Sequence, residues 1–429
     1  NGSTWSLPSV GVQTVNSVEA TGITIPVSPN TISLQIGQNT SSTGSVYSIA
    51  STNWSSPLTW AENSGGVSCG CLPTSIDNVI IENNFTVTMD KDNGVGKSLT
   101  INTGGVANWA SAFTTNIGTS GITLGATGDI TGSAAGVLTT AGGLTLLNTV
   151  LSSSLVTIRT ISTSGQSING TGTLSNLDID VNTDNNGTVS LTDVLTITNG
   201  TLTNAGTFTL KADASKYARI APVLCVSCGF SGNYIIERNI PARNIGTWAD
   251  MSSPVSNATM ADWDNELFME YPFTGFDPNT NRPTGTNVLA YDEPSANYYE
   301  LNSSTNLTPA MGFEIGLTDN SSLTYFTETT LTTIGTPNIG DFNIPLSYTG
   351  ANGPPYPIGY SGENLIGNPY ASAIDLSAIT INNALLTVDV YDYTIDNYKT
   401  LSGSDLIGPN QGFWAYAQGA GASFVITEN

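Results

Sequence analysis

The sequence contains no histidine. That absence removes Ser-His-Asp hydrolysis, Cys-His proteolysis, His-ligated zinc and imidazole general bases, because each needs a group titrating near neutrality. Basic residues are nearly as scarce: 10 Lys plus Arg stand against 33 Asp plus Glu, a formal charge of -23 over 429 residues. Counterion release by Lys and Arg drives binding to phosphate backbones and anionic membranes, so nucleic acid is not an expected partner. No stretch of eighteen apolar residues occurs, and no membrane insertion is expected. Charged residues are only 10% of the chain while hydrophobic residues are 39%, and Gly, Ser, Thr and Asn are plentiful. This composition suits a folded, β-rich extracellular protein better than a disordered acidic tail, and the length suits two or three domains. The chain opens on Asn1 with no basic-then-apolar leader, which gives the expectation of a trimmed product.

What is present is strand pattern. Residues 1–45 alternate apolar and polar positions (Ile23, Ile25, Val27, then Ile32, Leu34, Ile36) between Pro and Gly breaks, and the first basic residue of the chain is Lys91. Such an extended arm pairs either with the protein's own sheet or with the edge of a neighbouring subunit. From about 75 to 220 an apolar-polar-apolar phrase recurs: Thr86-Val87-Thr88-Met89, Leu99-Thr100-Ile101, Ile122-Thr123-Leu124, Leu144-Thr145-Leu146, Val156-Thr157-Ile158, Leu177-Asp178-Ile179, Leu195-Thr196-Ile197 and Phe208-Thr209-Leu210. Gly or Asn turns follow each phrase, and the spacing clusters near 20 residues. One such coil cannot bury its inward Leu, Ile and Val alone, whereas coils stacked ~4.8 Å apart pair every backbone group and share one apolar column. A parallel β-helix is therefore the favoured fold, with an antiparallel sandwich as the alternative.

After about 225, aromatics and carboxylates rise, and from 245 onward only Arg282 and Lys399 are basic against 20 acidic residues. An internal duplication lies here. Ala290-Tyr291-Asp292, Asn297-Tyr298 and Gly312-Phe313 reappear one hundred residues later as Val390-Tyr391-Asp392, Asn397-Tyr398 and Gly412-Phe413. The predicted architecture is all-β: an extended arm at 1–45, a β-solenoid at 46–225, and duplicated β-sandwich-like modules at 226–338 and 339–429.

Residues Trp54-Ser-Ser-Pro-Leu-Thr-Trp60, Leu72-Pro73-Thr74, Asp77-Asn78-Val79-Ile80 and Leu99-Thr-Ile-Asn-Thr-Gly104 resemble the opening of repetitive surface proteins secreted by Bacteroidetes. Glu363-Asn-Leu-Ile-Gly-Asn-Pro-Tyr370-Ala-Ser-Ala-Ile-Asp375 and Gly408-Pro-Asn-Gln-Gly-Phe413 resemble the module that precedes their C-terminal sorting domain. The resemblance covers most of residues 50–429. It implies export through the type IX secretion system, with the sorting domain removed, and display at the cell surface, but its motifs are architectural and name no activity.

Few residues offer chemistry. Cys69, Cys71, Cys225 and Cys228 fall near the two ends of the solenoid. Zinc sites favour two residues between ligands and the first pair has one, so disulfides are expected in an oxidising exterior. A Cys225–Cys228 bridge is sterically easy; a Cys69–Cys71 bridge is strained, which leaves cross-pairing or an intersubunit link open. Asp90, Asp92 and Asn93 carry the alternating oxygens and following Gly94 of a calcium loop, and Asp178, Asp180 and Asp184 form a second cluster; neither has a distal bidentate Glu, and plain turns use the same residues. Asp262-Trp263-Asp264-Asn265-Glu266 sets carboxylates beside an aromatic, yet a glycosidase needs two carboxyls facing across a cleft. Asp389, Asp392 and Asp396 near Tyr391, Tyr393 and Tyr398 read as a strand edge plus its turn.

The expected function is that of a non-enzymatic extracellular structural protein: a surface adhesin, or a filament subunit joined head to tail through the strand of Ile32, Leu34 and Ile36. Expected partners are the chain itself or cell-surface glycans; no cofactor other than calcium is expected. The alternative is a carbohydrate-binding or polysaccharide-cleaving β-helix protein, with Tyr391, Tyr393, Trp414 and Trp263 as stacking platforms.

Overall fold

The computed structural model describes residues 9–14, 17–21 and 44–428, apart from 153, 163, 245–247, 265, 268, 270–274, 277–282, 318–324, 351–360, 393, 394 and 396. Asn1–Asn39 and Thr40–Asn429 are separate compact units. In the first, Ser9–Thr14 and Ser17–Thr21 pair as an antiparallel hairpin. The assembly strand proposed around Ile32, Leu34 and Ile36 lies outside the described residues.

The second unit opens with a parallel β-solenoid. Its longest face begins with Ser45–Ser48, Asn78–Ile81, Ser98–Ile101, Ile122–Leu124 and Leu144–Val150, each paired in parallel with the next. Register places Val46, Val79, Leu99, Ile122, Leu144 and Ile168 in one inward column, all buried. A seven-stranded parallel face stacks Leu138, Ile158, Leu177, Leu195 and Ile220 in the same way, and a shorter face stacks Val87, Ala107 and Ile130. The period of two that directs these side chains inward sends Thr100, Thr123 and Thr145 outward, where they too stand in register. The phrases are unevenly spaced along the chain because the turns, not the strands, take up the difference.

One corner of the column is backbone on backbone: a Cβ on Gly187 would overlap the Gly170 carbonyl oxygen, and one on Gly206 would overlap that of Gly187. Only glycine fits three coils stacked this closely. Beside them the buried Asn185 amide donates to the Asn204 side-chain oxygen at 2.7 Å and to the Thr207 carbonyl at 3.1 Å, so a polar side chain inside the column is satisfied.

The longest face is flanked at both ends by antiparallel strands of the same chain. At the first, Trp60–Ala61 runs antiparallel to Ser45–Ser48, and Trp60 and Trp54 pack edge to face at 5.2 Å with both rings buried. At the other, Thr329–Pro337 runs antiparallel to Tyr234–Ile240 over the whole length of the latter. The parallel face therefore continues to Ile240 before the antiparallel architecture takes over, fifteen residues beyond the change in composition near 225.

Two antiparallel four-stranded sheets follow with one strand order. In the first module it is Trp248–Met251, Phe313–Gly316, Val288–Asp292, Asn297–Glu300; in the second, Glu363–Gly367, Gly412–Tyr416, Thr387–Asp392, Asn397–Ser402. The predicted duplication is thus a duplication of fold. Bridges pair Met251 with Gln411 and Met311 with Ile366. Register makes Met251 the counterpart of Ile366, and the hundred-residue repeat makes Met311 the counterpart of Gln411. Exchanging the modules therefore converts one bridge into the other, which is the mark of an internal pseudo-twofold. The repeated glycines sit at this contact: a Cβ on Gly312 would lie 2.5 Å from the Ile366 carbonyl oxygen, and one on Gly412 2.8 Å from the Met251 nitrogen.

Candidate functional site

The faces that the two sheets turn toward the pseudo-twofold differ from the rest of the core. Counterpart positions carry Tyr291 and Tyr391, Tyr298 and Tyr398, but also Asp250 against Leu365, Glu314 against Trp414 and Leu289 against Asp389. Alternation explains the separation. Met251, Phe313 and Ile315 point into one apolar core and Ile366, Phe413 and Ala415 into another, so residues one step along each strand meet at the junction.

A cleft of about 480 Å³ opens there, lined by Tyr291, Ala296, Tyr298, Glu363, Asp389, Tyr398, Trp414 and Tyr416. No Lys or Arg is among its lining residues. Tyr291 packs edge to face on Tyr298 at 5.3 Å and on Trp414 at 5.1 Å, so rings from both modules make one continuous wall. The Trp414 indole donates to the Tyr398 hydroxyl at 3.1 Å, and Tyr398 packs on Tyr391 at 5.2 Å. Asp389 is held by the Tyr416 hydroxyl at 2.5 Å and by Thr400 at 2.6 Å.

Behind the tyrosine hydroxyls lies a pair of buried carboxyls. Asp250 and Glu314 are cross-strand neighbours, 5% and 8% exposed. The Tyr298 hydroxyl donates to Glu314 at 2.8 Å, and Tyr398 also hydrogen-bonds it. Neither oxygen of Asp250 has a hydrogen-bond partner. Burial, and then the adjacent Glu314, pushes Asp250 well above the carboxylate range. Burial lifts Glu314 to about 7, against the opposing pull of the two tyrosine hydroxyls. Burial followed by the field of this pair raises Tyr298 and Tyr398, while burial and then Asp389 raise Tyr416, with a smaller contribution from Asp250. At the cleft wall, burial and then Asp389 raise Glu363. Two carboxyls this close and this dry are not ionised together at neutral pH unless a cation joins them.

The residues singled out from sequence have varied placements. Trp414 is a cleft wall and Tyr391 supports it through Tyr398, while Tyr393 is outside the described residues. Trp263 is not a stacking platform: it is fully buried, packed on Phe313 at 5.2 Å, with its indole donating to Thr333 at 3.0 Å. Asp262, beside it, caps a short turn by accepting from the Thr259 amide, and Glu266 accepts from Thr332, so these carboxylates face no common cleft. Asp90 accepts from Ser55 and Asp92 from the Thr114 amide, while Asn93 donates to Asp92. Asp90 and Asp92 thus tie neighbouring coils together, and Asn93 bonds Asp92. Asp178 pairs with Arg159 at 2.6 Å. Among the described residues no group of three or more His, Cys, Asp or Glu is arranged to hold a metal ion.

Cys69 pairs with Cys71 and Cys225 with Cys228, which closes the cross-pairing alternative. The first loop sits against the N-terminal cap of the solenoid, where the Cys69 amide donates to the Trp60 carbonyl; the second precedes the strand Gly229–Ser231 on the last turns.

Sequence reasoning did not identify Asp250, Glu314, Glu363, Tyr416 or the meeting of Tyr298 with Tyr398. One signal was available: the residue after the repeated Gly-Phe is Glu314 in one module and Trp414 in the other, a divergence inside an otherwise kept phrase. Asp250 carries no comparable mark.

No curated protein matches the chain, and no solved structure matches it. A family described as a domain of unknown function, DUF8693, matches residues 149–408, which run from the later solenoid turns through the first module and most of the second. That span is more than half of the sequence and contains the cleft wall except Trp414 and Tyr416, and the chain belongs to the DUF8693 family.

Proposed function

We propose that this is a non-enzymatic extracellular adhesin in which a β-solenoid spacer carries a carbohydrate-binding cleft formed between two duplicated modules. The observation that carries the reading is the wall of Tyr291, Tyr298, Tyr398 and Trp414, contributed by both modules and open at a cleft bordered by Glu363 and Asp389. Flat rings offer apolar faces to sugar C–H surfaces while adjacent carboxylates accept hydroxyl protons. Paired cysteines and the absence of free thiols among the described residues suit an oxidising exterior, in keeping with the resemblance to type IX-exported surface proteins of Bacteroidetes.

Binding is favoured over cleavage because the carboxyls with the most displaced protonation, Asp250 and Glu314, stand behind tyrosine hydroxyls and do not line the cleft. A glycosidase acid must reach the leaving oxygen. The adhesin is favoured over a head-to-tail filament of stacked solenoids because in-chain antiparallel strands occupy both ends of the column's longest face. A glycan array probed with the intact chain tests the reading: ligands are expected whose binding is lost in Trp414→Ala. An array without hits, or hits that survive that change, overturns it.

A further inference from the structure

The cleft gathers more carboxyls than a neutral sugar requires. Glu363 and Asp389 line it, and Asp250 and Glu314 stand behind it. No cation among the lining residues answers them, and the two Asp250 oxygens are buried without a partner. A buried carboxyl pair left in this state costs stability, so its retention beside aromatic walls needs a use. Electron-rich ring faces attract cations, and an aromatic enclosure backed by carboxylates is the arrangement that holds an ammonium group. A metal ion is a poor occupant, because metal ions take several converging oxygen ligands, whereas tyrosine hydroxyls separate Asp250 and Glu314 from the cleft.

We infer that the cleft selects sugars bearing a free, protonated amine, that is, deacetylated amino sugars. The ammonium sits against Trp414 and the tyrosines, with Glu363 and Asp389 as contacting counter-charges. Asp250 and Glu314 supply field through the Tyr298 and Tyr398 hydroxyls. The inference rests on the carbohydrate reading above and adds the charge of the ligand. It also couples ligand to proton: a cation arriving at the cleft favours the ionised form of the buried pair, so binding releases a proton from it. The groups facing that pair are Tyr298 from its own sheet and Tyr398 and Tyr416 from the opposing sheet, with Asp389 and Glu363 beyond them.

The experiment is titration calorimetry of the intact chain with glucosamine oligomers, their N-acetylated equivalents of equal length, and tetramethylammonium as a sugar-free cation. Measurements in buffers of different ionisation enthalpy count protons released. The expected result is binding of the glucosamine oligomers roughly tenfold or more tighter than the acetylated ones. Proton release by tetramethylammonium, which has no proton of its own, is expected to vanish in Glu314→Gln. Glu363→Gln, at a half-buried position, is expected to weaken the amine series while leaving thermal unfolding unchanged. Equal affinity for both oligomer series overturns the amine inference and leaves carbohydrate binding standing. Binding of tetramethylammonium with neither oligomer overturns the carbohydrate reading and keeps the cation site. Silence from all three overturns both.

Discussion

Among individual residues, the Asp250–Glu314 pair has the clearest consequence for pH. Both carboxyls are raised in the folded state by burial, and Asp250 also by the adjacent Glu314. A raised carboxyl contributes stability that is fully present below its ordinary value near 4.5 and is lost as pH climbs through about 7. The chain should therefore melt at a lower temperature at pH 8 than at pH 5. Glu314→Gln should recover roughly 2 kcal/mol at pH 8 and little at pH 5. Thermal unfolding of both proteins at the two pH values checks this, and comparing them cancels the repulsion due to the overall negative charge. A variant with the same pH slope as the parent refutes the assignment. The sequence hid this pair because the two residues are 64 positions apart and are joined only by strand register. It also concealed the fate of Trp263, since a Trp flanked by acids reads alike whether it lines a cleft or fills a core.

For the strands and turns, legibility followed locality. The apolar-polar-apolar phrases were readable because inward and outward positions alternate within a few residues, and the structure stacks those positions turn upon turn. Leu177 sits fully buried between Ile158 and Leu195. Leu177→Ala should cost about 2–5 kcal/mol by chemical denaturation, because rigid neighbours above and below cannot close the cavity. The repeated Gly-Phe phrases were readable as a duplication, but not as a close backbone contact. Gly412→Ala and Gly312→Ala should each destabilise by about 1–3 kcal/mol, by similar amounts, since each forces a methyl into the opposing strand at symmetry-related places. Strongly unequal losses count against the pseudo-twofold. The return of Thr329–Pro337 to Tyr234–Ile240 was not legible, because antiparallel pairing across some ninety residues leaves no local trace.

For the molecule as a whole, the two disulfides close loops separated by only two and three residues, so little chain entropy is removed. Reduction should lower stability by no more than about 1–2 kcal/mol per bridge and leave the strand content in circular dichroism intact. Loss of the fold on reduction contradicts a core held by stacked coils. Removing Asn1–Asn39 should leave the unfolding transition of Thr40–Asn429 unchanged, since each is a compact unit by itself; a shifted transition contradicts this.

The antiparallel strands at both extremities of the longest solenoid face have a further result. An open stack of parallel strands templates its own extension, whereas a sealed one is a ruler with a set number of graduations. Inserting or excising one complete turn should move the amine cleft by ~4.8 Å along the axis and disturb neither lid. In lineages that retain this arrangement, reach can therefore vary by whole increments while the recognition apparatus stays the same.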